Sequence, residues 1–104
     1  MILVGGELWL VGPEADSKMS WDDAKKWCLA VGGELPHKAV LLQCYKNEIV
    51  KSLFQESWYW SGTEFEFRDV GRIDVDAWVQ CFNTGFQGNT FKTFEAFVRA
   101  VRKV

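Results

Sequence analysis

Only two prolines, one histidine and three cysteines occur among 104 residues, and each scarcity closes off a class of protein. With so little proline and 48% hydrophobic residues, the chain can bury enough apolar surface to offset the entropy of ordering, which excludes a disordered linker. Cys28, Cys44 and Cys81 form an odd set without a CxxC pair, so spacing supports neither a complete disulfide framework nor a zinc site. Three reduced, buried thiols are the expectation. Basic excess is missing too. Twelve Lys plus Arg against fourteen Asp plus Glu leave a net charge of −2, which argues against binding a phosphate backbone. No window supplies the roughly 20 apolar residues that span a bilayer, so membrane insertion is not expected. The start, Met1 to Glu7, has no positive region and only a brief apolar run. Synthesis in the cytoplasm without a signal peptide follows as an expectation.

Aromatic residues are plentiful: six Trp, eight Phe and two Tyr make up 15% of the chain. That is more ring surface than a small core requires, and some of it is expected to anchor partners. The length suits one domain over residues 1–104. Gly6 to Pro13 reads as an opening strand closed by Gly12-Pro13. Ser20 is an N-cap with Asp23 three residues on, and Trp21, Ala24, Trp27, Cys28 and Val31 fall on one helical face before Gly32-Gly33 ends the helix. After Pro36, the four-residue recurrence of Leu41, Tyr45, Ile49 and Leu53 predicts a second helix over about 38–54. Short runs rich in aromatic and β-branched residues at 58–62, 77–82 and 96–101 predict strands. The charged stretch 64–76, Asn83-Thr84-Gly85 and Gly88-Asn89-Thr90 read as loops or hairpin tips. The predicted core comprises Trp21, Trp27, Leu41, Tyr45, Ile49, Trp60, Trp78 and Val98.

Strand, two helices, then several strands ending in one that returns near the first is an α+β layout. Particular residues go further: Trp21-x5-Trp27-Cys28, Gly32-Gly33-Glu34-Leu35-Pro36, Trp58-Tyr59-Trp60-Ser61-Gly62-Thr63-Glu64, Ala77-Trp78-Val79, Phe82-Asn83-Thr84-Gly85 and Phe97-Val98-Arg99-Ala100-Val101-Arg102. In that order, over roughly Trp21 to Arg102, they resemble the bacterial and phage C-type-lectin-like domains. That family includes the C-terminal domain of a collagen-like adhesin and the variable proteins of diversity-generating retroelements. Before the second helix the family usually has Asp-Trp-Arg-Leu-Pro-Thr; Gly33 to Lys38 keeps the Leu-Pro without the Trp-Arg or the Thr. The resemblance implies a C-type-lectin-like fold, two helices flanking a twisted antiparallel sheet with close termini and a long-loop recognition region. It also implies a phage or prophage origin, with action in the host cytoplasm or in a virion.

Catalytic and metal chemistry find little support. Calcium-dependent lectins of this shape resemble one another in Glu-Pro-Asn and Trp-Asn-Asp motifs, and neither occurs here. Asp69, Asp74 and Asp76 lack the ordering residues of a cation loop, and no cofactor is expected. His37 has no Ser or Asp partner at a telling spacing. The cysteines lack an adjacent base. The expected function is therefore non-enzymatic: recognition of a protein or glycan, without calcium, through the 64–92 segment. Glu64, Phe65, Arg68, Asp69, Phe86, Gln87, Asn89 and Lys92 form the expected binding face, because rings beside Asp, Asn and Arg suit recognition. Two other readings stay open, a small intracellular inhibitor that blocks a host protein complex and a structural subunit of a phage tail. Oligomeric state is not legible.

Overall fold

Gly5 and Gly6, both at positive φ (54° and 82°), turn the N-terminus back on itself. The apolar residues before them thus form a strand of their own, β1 (Ile2–Val4), paired antiparallel with β2 (Glu7–Glu14). The opening strand expected at 6–13 is in reality the second arm of this hairpin. In the computed structural model, residues 1–67 and 72–104 are described, with the side chains of 67 and 72–74 excepted. The last strand, β6 (Arg99–Lys103), pairs with the other side of β2 in the order β1-β2-β6, so the two ends of the chain share one sheet. It begins three residues later than the expected run at 96. Ala96 and Val98 are buried all the same, with Ala96 bridged to Met19.

Helix α1 (Trp21–Ala30) follows its sequence pattern: the Ser20 hydroxyl accepts from Asp23 N at 3.4 Å, and Trp21, Ala24 and Cys28 are buried. The second helix does not. It divides into α2 (Lys38–Lys46) and a single turn, α3 (Glu48–Lys51), because Asn47 is extended (φ −95°, ψ 111°) and its side chain caps Val50 N at 3.1 Å. The break resets the helical phase. Val50 and Phe54 become the buried residues, while Ile49, expected in the core, is 82% exposed and Leu53 is exposed as well.

The second sheet, in the order β3-β4-β5, joins β3 (Trp58–Phe67), β4 (Arg72–Cys81) and β5 (Gln87–Phe91), all antiparallel. Two expectations are corrected here. The described parts of 64–76 are strand, and Gly88-Asn89-Thr90 lies within β5 rather than at a tip. Charge concealed the first, since a strand with one polar face reads like a loop when its partner is unknown. Gly and Asn concealed the second; both are rare in strands and occur here in the outermost one.

One core cluster joins Trp21, Ala24 and Cys28 of α1 to Trp60, Ala77, Val79 and Val98; the other packs Val40, Leu41 and Cys44 of α2 against Trp9, Tyr59 and Phe82. Trp27, Tyr45 and Trp78 are half-buried, the first two packed against these clusters. The indole of Trp60 donates to Met19 O (2.8 Å) and that of Trp21 to Ser61 O (2.9 Å), anchoring the helix approach to β3.

Candidate functional site

Directly opposed residues in antiparallel strands share a face of the sheet, so register decides which side chains meet. Phe65, Asp76 and Phe91 form one row across β3-β4-β5, and Trp78 lies opposite Asn89, and Gln80 opposite Gln87. These lie on the face opposite the Ala77 and Val79 core; α2 covers its Gln80 end, where Gln80 is fully buried, and the Phe65–Asp76–Phe91 end is the outer face. Glu64 stands opposite Ala77, which faces Thr90, and Ala77 is part of the core, so Glu64 lies on the α1 side of the sheet. The eight residues expected to form one face are thereby divided. Phe65, Gln87 and Asn89 share the face away from that core, Glu64 and Lys92 meet on the other side, and Phe86 follows the turn between β4 and β5. Arg68 and Asp69 lie outside the described residues.

On the outer face, the Asp76 carboxylate is only 4% exposed, in a row between Phe65 and Phe91. Its Oδ2 accepts from Asn89 Nδ2 at 2.6 Å, and Oδ1 is buried without a partner among the described residues. The Phe65 ring lies 5.2 Å from that of Trp78, tilted by 59°. Lys38, at the start of α2, holds its ammonium 3.8 Å from the Trp78 ring centroid. Its carbonyl accepts from Gln87 Nε2 (2.8 Å), and its N–H donates to Thr63 Oγ1 (3.0 Å). Helix α2 is thus fixed to one end of this face. Phe91 is 67% exposed at the other margin.

Across the sheet, Lys92 donates to Glu64 at 2.7 Å and approaches the Trp21 ring (4.4 Å), as does Lys25 (4.1 Å). Glu64 closes one side of a groove of about 280 Å³ between α1 and β3, whose apolar wall is Trp21, Leu29 and Leu35. A second groove, of about 230 Å³, runs beside β5 between Trp58, Phe86 and Phe94. Phe86 is 62% exposed and meets Trp58 edge-on at 6.1 Å.

The acidic trio does not come together in the described residues: Asp69 and the Asp74 side chain lie outside them, and Asp76 is committed to Asn89. His37 caps no backbone group with its side chain and lies 3.6 Å from Glu34, edge-on to Trp9. All three cysteines are free and buried. Burial, reinforced by the Glu34 carboxylate, pushes the Cys28 thiol up to about 12, and burial pushes Cys44 up to about 11 against the opposing charges of Arg99 and the N-terminus. For Cys81 burial acts in the same sense, but hydrogen bonds from Thr84 and from the Asn83 backbone outweigh it and lower the thiol below its ordinary value.

Lys38, Asp76 and Trp78 were missing from the expected face. Trp78 reads as a core residue in the sequence, and Lys38 lies far away along the chain. A period-two reading of β4 would have put Asp76 and Trp78 on one side. No protein-family model matches the chain, and no curated protein matches it. Among the described residues, no helix is long and apolar enough to cross a membrane.

Proposed function

We propose that this chain is a non-enzymatic recognition module of C-type-lectin-like fold that binds a partner protein through the outer face of the β3-β4-β5 sheet. The fold assignment is supported by the order strand, helices, strands and by a sheet that joins the first strands to the last. The observation that carries the function is the Phe65–Asp76–Phe91 row with Asn89 beside it. Its polar groups are largely engaged internally: Asn89 with Asp76, and Gln87 with Lys38. A sugar would need those donors and acceptors free, whereas a protein surface needs exposed rings within a fixed polar surround. The rings here stand on a rigid sheet, and binding calls for no calcium.

The test captures ligands from bacterial lysate and on a glycan array with wild-type and Phe91→Ala proteins side by side. A captured protein whose affinity falls roughly 30-fold in Phe91→Ala, about 2 kcal/mol, is the expected result. Binding to glycans alone, or a protein partner held equally by both forms, would overturn the proposal.

A further inference from the structure

The hydrogen bonds around β5 determine which of its backbone groups are engaged. Cys81 N donates to Phe86 O and Lys92 N to Val75 O, both at 2.8–2.9 Å, so Gly88 and Thr90 between them direct their N–H and C=O groups toward β4, while the Phe86 N–H turns to Thr84 and the Lys92 carbonyl accepts from Trp21 N. Gln87, Asn89 and Phe91 direct theirs the other way, off the sheet. Among the described residues, the Phe91 carbonyl alone of these outward groups has a backbone partner, Phe94 N at 2.9 Å.

Other margins of the two sheets are closed or brief. The outer side of β3 is taken by Phe97 and Pro36, through Trp60 N to Phe97 O (3.0 Å) and Gly62 N to Pro36 O (2.8 Å). Glu34 bridges the free side of β6 at Val101, and β1 has only three residues. Natural edge strands are guarded by charge, proline, a bulge or brevity. The five residues of β5, Gln-Gly-Asn-Thr-Phe, have no charge and no proline, and their pairing to β4 runs without a register shift. Phe86, Phe91 and Phe94 cluster about this strand at 62%, 67% and 46% exposure.

We infer that β5 is a self-association edge, on which a second copy of this chain pairs its own β5 antiparallel about a two-fold axis at Asn89. The outward groups select this occupant. They are centred on Asn89, so the strand is its own complement: Asn89 opposes the second copy's Asn89, and Gln87 opposes the second copy's Phe91. Because no residue of β5 is charged, the two-fold brings no like charges together. Such a contact is isologous and closes at two copies. The two three-stranded sheets then merge into one of six strands, with both outer faces on the same side, which would present any partner with two sites at once. The association does not depend on what the outer face binds.

Light scattering during size-exclusion chromatography, with amide hydrogen exchange at high and low protein concentration, tests this. The expected mass is twice 12.0 kDa at high concentration. Gln87, Asn89 and Phe91 amides should gain protection as concentration rises, while Gly88 and Thr90, bonded to β4, stay protected throughout. Asn89→Pro deletes an outward donor without touching the β4 ladder and should shift the protein to monomer. Asn89→Ala, which keeps that donor, should remain dimeric. A monomer at millimolar concentration overturns the inference, as does a dimer in which the three odd-numbered amides exchange freely. A dimer that Asn89→Ala disrupts as fully as Asn89→Pro does the same. Should Asn89→Pro fail to fold, seen as lost protection at Gly88 and Thr90, the wild-type exchange pattern alone decides.

Discussion

The hydroxyl of Tyr59 donates to the carboxylate of Glu14 at 2.5 Å, joining the end of β2 to the start of β3 across 45 residues. The same hydroxyl accepts from Gln55 N (2.8 Å), and Glu14 also takes Gln55 Nε2 (2.6 Å) and Arg99 Nη2 (3.2 Å). Arg99 completes the junction by donating to Gly12 O and Leu53 O, both at 2.7 Å. Three segments distant in sequence, residues 12–14, 53–59 and Arg99, are held at one point between the sheets.

Tyr59→Phe keeps the ring and its stacking on Phe97 but removes one donor and one acceptor together. Gln55 N loses its acceptor, and Glu14 loses its shortest bond. The expected cost is roughly 1–3 kcal/mol, read from urea denaturation. A midpoint equal to that of the wild type would mean that water replaces the hydroxyl at no penalty.

Trp60→Ala should destabilise by about 3–5 kcal/mol, since the ring is fully buried and its indole bonds Met19 O. Ile49→Ala should stay within about 0.5 kcal/mol, because that side chain faces solvent. Equal costs for the two would place Ile49 in the core, as the four-residue spacing suggests, and would contradict the helix break at Asn47.

That contrast marks the boundary of what the sequence discloses. Helix α1 was legible because its cap, its apolar face and its terminating glycines all agree. Beyond Tyr45 the apolar spacing continues unbroken while the backbone turns at Asn47, since the Asn47 side chain offers Val50 N a bond that competes with continued helix. Phe65 and Phe86 read from sequence as rings of a recognition segment, and both do keep partial or full exposure. Their division between two faces was not legible, because it depends on register. Between Trp60 and Glu64 the pairing with β4 slips, and residues 61–63 are the irregular stretch. A shift of one residue would exchange the faces of Glu64 and Phe65.

Stability should decline as pH rises above about 9. Cys28 and Cys44 ordinarily ionise near 9.0, and in the native state they ionise only near 12 and 11 respectively. Between those values the unfolded chain releases protons that the folded chain retains, so folding binds more protons and loses ground with each step in pH. Tyr59, raised by burial and by its bond to Glu14, adds the same sign above its ordinary 10.0. Urea midpoints measured from about pH 8 to about pH 10.5 should fall once pH passes about 9, below which the lowered Cys81 thiol acts with the opposite sign, and the fall should be less steep in Cys28→Ala. A slope identical in that variant would show that Cys28 does not contribute.

Gly85 ends the turn between β4 and β5 at φ +84°, a conformation that costs other residues roughly 1–2 kcal/mol. The space is also taken: a Cβ there would lie 2.6 Å from Tyr45 Cε2. Tyr45 belongs to α2 and meets Phe82 edge-on at 6.0 Å, so the absent side chain allows the helix to seat against the hairpin that leads into β5. Gly85→Ala therefore faces two penalties, one from the backbone and one from the ring, and a total of about 2–4 kcal/mol is expected. A double-mutant cycle separates them. In a Tyr45→Ala background the ring is gone, and the cost of Gly85→Ala should fall to the backbone share of roughly 1–2 kcal/mol. If the cost is the same in both backgrounds, the Tyr45 ring moves aside freely, and contact between α2 and the hairpin is not what requires glycine at this position.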